Sequence, residues 1–458
     1  MKIIILGANP EGAALAETLS NEKNDITVVD EDGERLRELN DRLDLKVTEG
    51  HPSLPHVLEA AGAADAEMLI ALTDSDEVNM VACRVAYALF RMGIKICRIR
   101  AASYIDSEKL FGKEGIAVDV LISPEKIVSE YIARLIDLPG SLQVLDFAEG
   151  RVQLVAVKAS YGGPLVGQEI RLLRQHMPSI DTRVAAIFRK DSPIMPEGST
   201  VIEADDEVFF VAAKENIRPI MSELRRLDQP YRRLMIAGGG RVGFRLAQMI
   251  EDRFRVKLIE KAAKRCAYLS EHLNQAVVLN GEASQKELLV EESIDETDIF
   301  LALTNDDEAN IMSSLLAKRL GAKKVITLIN NPDYVDLVQG GEIDIAISPQ
   351  QATVGSLLAH VRKGDVVNVH SLRRGAAEAI EAIAHGNSAH SKVVGKAVQD
   401  INLPEGTTIG AIVRNDEVLI AHDNTIVEQE DHIILFLVNS RQIPAVEKLF
   451  LPDAKFIF

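Results

Sequence analysis

The sequence contains no tryptophan, only three cysteines and few aromatic residues, which make up 4% of its 458 positions. Cys83, Cys97 and Cys266 form no C-x-x-C pair, so the sequence predicts neither a zinc site nor a disulfide framework. It has no apolar run long enough to span a bilayer, and the apolar stretch that follows Met1 is too short for a signal peptide. We therefore expect a cytoplasmic protein with reduced thiols.

Basic residues are also fewer than acidic residues. The chain has 51 Lys and Arg against 69 Asp and Glu, a formal net charge of −18. Such a chain repels the phosphates of nucleic acid and the anionic inner face of a membrane, so we expect neither nucleic-acid binding nor direct lipid insertion. If the protein works at a membrane, a protein partner must hold it there. The apolar content of 47% is typical of a soluble globular protein.

An internal repeat determines the predicted architecture. Gly7 precedes Gly238 by 231 positions, and Thr73 precedes Thr304 by the same offset. Further along, Asp206 precedes Asp431 by 225 positions. Because these matches keep their order and nearly their spacing over most of the chain, the sequence consists of two copies of one unit.

Each copy has two parts with different hydrophobic patterns. Near-continuous apolar strands, such as residues 2–6 and 234–237, alternate with helices in the first part, which predicts a doubly wound parallel sheet covered on both faces. The second part, residues 142–215 and 366–440, is rich in β-branched alternation and predicts a small α+β unit. The predicted fold class is α/β: two tandem Rossmann-like domains, each followed by a small α+β domain. The predicted domains are residues 1–140, 141–228, 229–355 and 356–458.

The second copy carries a complete G-x-G-x-x-G motif between a strand and a helix. Gly238 makes the turn, Gly240 lets a phosphate approach, and Gly243 lets helix and strand pack closely. Glu260 ends the next strand, where its carboxylate can accept hydrogen bonds from a ribose diol and repels a 2′-phosphate. The pattern favours NAD(H) or an adenine nucleotide over NADP(H); the alternative is a domain that keeps the tight turn without a ligand. The other turn residues of this candidate site are Arg241 and Val242.

The first copy departs from this motif. Gly7, Gly12 and Asp30 are present, but Asn9 and Pro10 fill the middle of the turn. Asn9 adds a side chain where a phosphate would press against the backbone, and Pro10 removes an N–H donor. We expect weaker nucleotide binding here. The turn is completed by Glu11.

Further candidate residues follow other strands of each predicted sheet. Thr73 and Thr304 follow the fourth strands, where loops meet ligand; the alternative is a local turn or helix capping, and for Thr304 the two interpretations have equal weight. Arg98 and Arg100 lie on or after the fifth strand; Arg100 is our candidate for bidentate phosphate binding, with a salt-bridged surface role as the alternative. Glu282 follows the third strand of copy two, near an expected adenine, or is a solvated loop residue. No spacing predicts a metal site or a catalytic nucleophile.

Several segments carry a resemblance to a known family. Each Rossmann-like unit ends in Ile-Ser-Pro, and the small units contain PLVGQEI and DTRVAAIFR in the first copy, and HSLRRGAAEAIEAIAHG and VVGKAVQ in the second. Over essentially the whole chain this arrangement resembles the RCK (regulator of K⁺ conductance), or KTN, proteins. The resemblance implies a regulatory subunit that binds NAD(H), with ATP or ADP as further ligands.

The resemblance also implies how such a protein works. RCK-like chains assemble into a ring, here expected to be a homotetramer, on the cytoplasmic face of a TrkH- or TrkG-type potassium-transporting subunit of the inner membrane. We expect the chain to gate that subunit in response to nucleotide, without making or breaking a bond. Two alternatives remain open: an NAD-dependent oxidoreductase, which would need an acid/base group that the small units do not offer, and a stand-alone nucleotide sensor without a membrane partner.

Overall fold

The chain forms two compact units, residues Met1–Ile127 with Pro349–Leu357, and residues Val128–Ser348 with Leu358–Phe458. Each unit has its own hydrophobic core. A computed structural model describes the whole chain except residues 23, 113, 191, 339–340, 363–365, 373–376, 389, 439–441 and 452–458. The sequence segment HSLRRG, residues 370–375, lies partly outside the described residues.

The first unit is built on a parallel sheet. Its strands are β1 (Lys2–Leu6), β2 (Asp25–Asp30), β3 (Lys46–Glu49), β4 (Met68–Ala71), β5 (Ile94–Arg98) and β6 (Val120–Ile122). They lie in the order β3-β2-β1-β4-β5-β6. The apolar side chains of β1 are almost wholly buried because helices cover both faces of the sheet. The helices are α1 (Pro10–Ser20), α2 (Gly33–Arg42), α3 (Pro55–Ala60), α4 (Asp76–Phe90), α5 (Ala102–Ile105) and the start of α6 (Pro124–Asp137).

The second unit begins with a small antiparallel sheet and two short helices. The strands are β7 (Ser141–Phe147), β8 (Val152–Lys158), β9 (Arg183–Arg189), β10 (Ser192–Ile194) and β11 (Glu207–Ala213). Their order is β10-β9-β11-β8-β7. The helices are α7 (Leu173–His176) and α8 (Ile217–Leu224).

A second parallel sheet follows in the same unit. Its strands are β12 (Arg233–Ala237), β13 (Arg255–Glu260), β14 (Val277–Asn280), β15 (Ile299–Ala302), β16 (Lys324–Leu328) and β17 (Ile345–Ile347). Their order, β14-β13-β12-β15-β16-β17, repeats that of the first parallel sheet. The helices are α9 (Arg241–Ile250), α10 (Ala263–His272), α11 (Lys286–Glu291), α12 (Asp307–Arg319), α13 (Pro332–Val338) and α14 (Pro349–Val361), whose first nine residues belong to the first unit.

The chain ends in a second small antiparallel sheet. Its strands are β18 (Val366–Leu372), β19 (Ala377–Ile383), β20 (Thr407–Arg414), β21 (Glu417–Ile420) and β22 (His432–Leu437), and α15 (Ile443–Phe450) follows them. The order is β18-β19-β22-β20-β21. The two small sheets share one core, in which Phe147, Phe188 and Phe209 of the first meet Phe436 of the second.

The predicted fold class is confirmed. Both parallel sheets have the 3-2-1-4-5-6 strand order of dinucleotide-binding domains, and each is followed by a small α+β domain. The exact boundaries at residues 140, 228 and 355 stay a prediction. In the described part of the chain, no helix combines the length and the apolarity needed to cross a membrane.

Candidate nucleotide-binding sites

Each glycine of the copy-two turn meets a different steric requirement. Gly238 has φ of +109°, a conformation that side chains rarely adopt. A Cβ added to Gly243 would lie 2.0 Å from the Gly238 carbonyl oxygen, so α9 can approach β12 this closely only at a glycine. A Cβ on Gly240 would meet no atom within 4 Å. The turn therefore leaves open space next to the N-terminus of α9, where backbone donors and the helix dipole favour an anion.

Glu260 lies at the end of β13 with its carboxylate held next to this turn. Oε2 accepts a hydrogen bond from the Gly239 N–H at 2.9 Å, and Oε1 accepts one from the Ala262 N–H at 2.8 Å. Each carboxylate oxygen can accept a further bond. The arrangement can therefore present the carboxylate to a ribose diol, as the sequence predicts.

Arg265, at the start of α10, also contacts this turn. The sequence analysis does not predict this contact. Its Nε donates to the Gly239 carbonyl at 2.8 Å. Its guanidinium carbon lies 4.6 Å from the ring centroid of Tyr268 and 5.3 Å from that of Phe244. The Gly239 residue is thus fixed at its N–H by Glu260 and at its C=O by Arg265. The signal in the sequence is an arginine five residues after Glu260, which is too common to interpret alone.

In copy one the Asn9 side chain takes part in the turn itself. Its Oδ1 accepts from the Gly12 N–H at 3.0 Å and caps α1, and its Nδ2 donates to the Leu72 carbonyl at 2.6 Å. Asp30 keeps the place of Glu260, since its Oδ2 accepts from the Ala8 N–H at 2.5 Å. The Pro10 carbonyl accepts from Nε2 of Gln350, at the start of α14 in the same unit, at 2.8 Å.

Arg98, on β5, is the second residue whose contact with a turn the sequence analysis does not predict. The side chain of Arg98 is only 1% exposed, pairs with Glu11, and donates from Nη2 to the Thr73 carbonyl at 2.7 Å. Arg100, our sequence candidate, is more exposed and lies 3.5 Å from Asp74. Arg100 thus makes a salt bridge, and its phosphate-binding role stays a prediction; Arg98 is the arginine that contacts the turn.

Thr73 and Thr304 have the same surroundings in the two copies. Each hydroxyl donates at 2.6 Å to the side-chain oxygen of a fully buried asparagine, Asn79 or Asn310. Neither threonine caps the following helix: Ser75 caps α4 and Asp306 caps α12. The threonines therefore fix the loop after the fourth strand.

The remaining candidates lie in looser surroundings. Glu282 and Arg241 are exposed, and Val242 is half-buried next to the turn. Its carbonyl accepts a 3.4 Å bond from the hydroxyl of Ser129. Within the described residues, no group of three or more His, Cys, Asp or Glu side chains could hold a metal ion. Cys83, Cys97 and Cys266 are buried free thiols.

Comparison with protein families gives the class of protein. Residues 3–124 and 234–349 match the TrkA-N domain, and residues 154–225 and 388–451 match the TrkA-C domain. The fold agrees with solved RCK structures: the GsuK RCK domain superposes with a TM-score of 0.61 at 20% identity, covering 98% of this chain and 94% of that one. A GsuK channel bound to NAD gives the same TM-score and identity, with 79% of its chain covered. The chain thus consists of two tandem pairs of TrkA-N and TrkA-C domains with the fold of RCK structures.

The relatives at higher identity define the family. The Trk system potassium uptake protein TrkA of Halomonas elongata is 64% identical over 450 residues, with 98% of both chains covered. The proteins of the same name from Vibrio alginolyticus and Haemophilus influenzae are 60% and 52% identical over 458 residues, with 100% of both chains covered. The chain belongs to the TrkA family of potassium uptake proteins.

Proposed function

We propose that this chain is the nucleotide-sensing regulatory subunit of a Trk-type potassium uptake system and that it gates a TrkH- or TrkG-type membrane subunit. One observation carries the nucleotide-binding role: Gly240 leaves open space at the N-terminus of α9, next to the fixed carboxylate of Glu260. Membership of the TrkA family supports the role in potassium transport.

The ligand that fits this chemistry best is NAD(H). Glu260 and Asp30 can each bind a ribose diol, and both repel the 2′-phosphate of NADP(H). A structural neighbour, the GsuK channel, is known bound to NAD, which is consistent with this choice. ADP and ATP share the adenosine and the diphosphate of NAD(H), so we propose them as competing ligands for the same turns.

The regulatory mechanism requires no chemical step. A bound nucleotide changes the equilibrium between two arrangements of the chain only to the extent that it binds one of them more tightly. Couplings of about 1–3 kcal/mol are typical, which corresponds to roughly 5–150-fold in an equilibrium constant. The chain would act as a homo-oligomeric ring, in our proposal a tetramer, on the cytoplasmic face of the membrane. Protein contacts would hold it there, because its net charge of −18 is repelled by anionic lipid.

The test is potassium flux through the purified membrane subunit in liposomes, with and without the full chain. NADH, NAD⁺, ADP and ATP are compared at concentrations that saturate binding measured by calorimetry. We expect at least one of them to change the flux severalfold in the presence of the chain and to have no effect on the membrane subunit alone. If all four bind and none changes the flux, the regulatory proposal is wrong.

A matched variant separates binding from other effects. Gly240→Ala removes the open space of copy two without a clash in the protein. The variant chain should still associate with the membrane subunit, but the nucleotide response assigned to copy two should be lost.

A further inference from the structure

Copy one contains a charge pair where copy two has two apolar side chains. Glu11 immediately precedes Gly12, as Val242 precedes Gly243. Arg98 occupies the place of Leu328, since the carbonyl of each accepts a bond of 2.9–3.0 Å from the buried asparagine of its own copy. The ion pair therefore belongs to one ligand turn and is absent from the residues that match it in the other.

The arginine of this pair is buried in a way that requires anionic partners. The Arg98 side chain is 1% exposed, and its Nη1 pairs with Glu11, whose side chain is 15% exposed. Its Nη2 donates to the Thr73 carbonyl and, at 3.0 Å, to Asp74. Among the described residues, its Nε has no hydrogen-bond partner. Removing a guanidinium group from water costs free energy unless charged and polar groups surround it in the protein.

Glu11 lies at a place in the fold that favours a negatively charged group. It lies in the first turn of α1, where the helix dipole attracts negative charge. Two of the donors that a phosphate would use there are missing: the Gly12 N–H is bonded to Asn9, and Pro10 has no N–H. A phosphate at this turn must therefore depend on Arg98, which can bind phosphate oxygens bidentately.

We propose that the Glu11 carboxylate occupies the position next to Arg98 that a ligand phosphate would take. A nucleotide therefore binds copy one only by displacing this carboxylate. The inference rests on the nucleotide-binding function proposed above and adds the residue pair that sets the affinity of the first site. Ligands with a terminal phosphate, such as ADP, gain most from Arg98, because their higher negative charge competes better with one carboxylate.

The experiment measures binding of ADP and NADH to the full chain by calorimetry, with copy two as the internal reference. Glu11→Val installs the residue of copy two and removes the competing carboxylate. We expect it to raise the affinity of the copy-one class of sites at least tenfold for ADP and to leave the copy-two class unchanged. The control is Glu17→Gln on the exposed part of the same helix, where Glu17 pairs with Arg42, and it should change neither class.

A second variant gives a change of opposite sign. Arg98→Leu should abolish binding at copy one. The double variant Glu11→Val/Arg98→Leu should do the same while keeping the fold, because it reproduces the apolar pair of copy two and removes the carboxylate that Arg98→Leu leaves unpaired. An unchanged or lower ADP affinity of Glu11→Val at copy one, with copy two still binding, overturns the inference and leaves the proposed function standing. If the wild-type chain and Glu11→Val bind no nucleotide at either copy, both are wrong.

Discussion

The substitution Gly240→Ala gives the sharpest test of the copy-two site, because it changes the ligand space and almost nothing else. The backbone at Gly240 has φ of −66°, which alanine adopts without strain, and an added Cβ meets no protein atom within 4 Å. Replacing glycine by alanine at a compatible position restricts the unfolded chain and contributes about 0.4–1 kcal/mol of stability. Alanine is a poorer N-cap than glycine by a similar amount. The free energy of unfolding should therefore change by less than about 1 kcal/mol.

The effect on binding should be much larger. The methyl group would enter the space in which a pyrophosphate approaches the N-terminus of α9, and a loss of about 3 kcal/mol corresponds to roughly a hundredfold weaker binding. The assay is calorimetric titration of the full chain with NADH, together with thermal unfolding without ligand. Gly243→Ala is the contrasting variant: its Cβ would lie 2.0 Å from the Gly238 oxygen, so it should lower the unfolding temperature. If Gly240→Ala binds NADH as tightly as the wild type at both classes of site, the open space is not the phosphate position.

Three further predictions concern buried polar groups. Asn310→Ala should lower the free energy of unfolding by about 3 kcal/mol in denaturant titrations, because it leaves two partly buried backbone groups of Thr304 and the buried carbonyl of Leu328 without partners. Burial lowers the pKa of His370 to about 4, so the unfolded chain takes up the proton first and stability should fall by up to about 3 kcal/mol between pH 6.5 and pH 4; His370→Gln should flatten that part of the pH profile. Burial also lowers the pKa of Lys324 to about 8, so the stability contributed by this group should rise between pH 8 and pH 10, and Lys324→Met should remove the rise; an unchanged slope would show that the ammonium group is hydrated.

The fold could be predicted from the sequence because its signals are local and repeated. The apolar strand of residues 2–6, the glycine turn after it and the acid at the end of the next strand each indicate a Rossmann-like unit, and their recurrence about 231 positions later makes coincidence untenable. Right-handed connections restrict the strand order of a parallel sheet without fixing it, so the order 3-2-1-4-5-6 comes from the structure.

The site was less predictable, because its decisive contacts join residues far apart in the sequence. Arg98 ends β5 and Arg100 lies two residues later, after the strand, and nothing in the sequence states which of them contacts Glu11, 87 positions from Arg98. Arg265 acquires its role only through the carbonyl of Gly239 and the rings of Tyr268 and Phe244, which lie on two different helices. For the same reason, the glycines could be interpreted from their spacing, whereas the ion pairs could not.

The two copies share several polar contacts on which the fold depends, and they differ at the turn where a ligand would bind. Arg189 pairs with the buried Asp206 at 2.9 Å, and Arg414 pairs with the buried Asp431 at 2.8 Å. The buried asparagine that locks the loop after the fourth strand is likewise present in both copies. At the turns, in contrast, Gly240 is replaced by Asn9.

The charges next to the turns differ in the same way, because the Glu11–Arg98 pair stands where copy two is apolar. If both turns bind nucleotide, these differences would give the two sites different affinities, so the sites would respond over different concentration ranges. Two sites of different affinity would respond over a wider range of nucleotide levels than one site does.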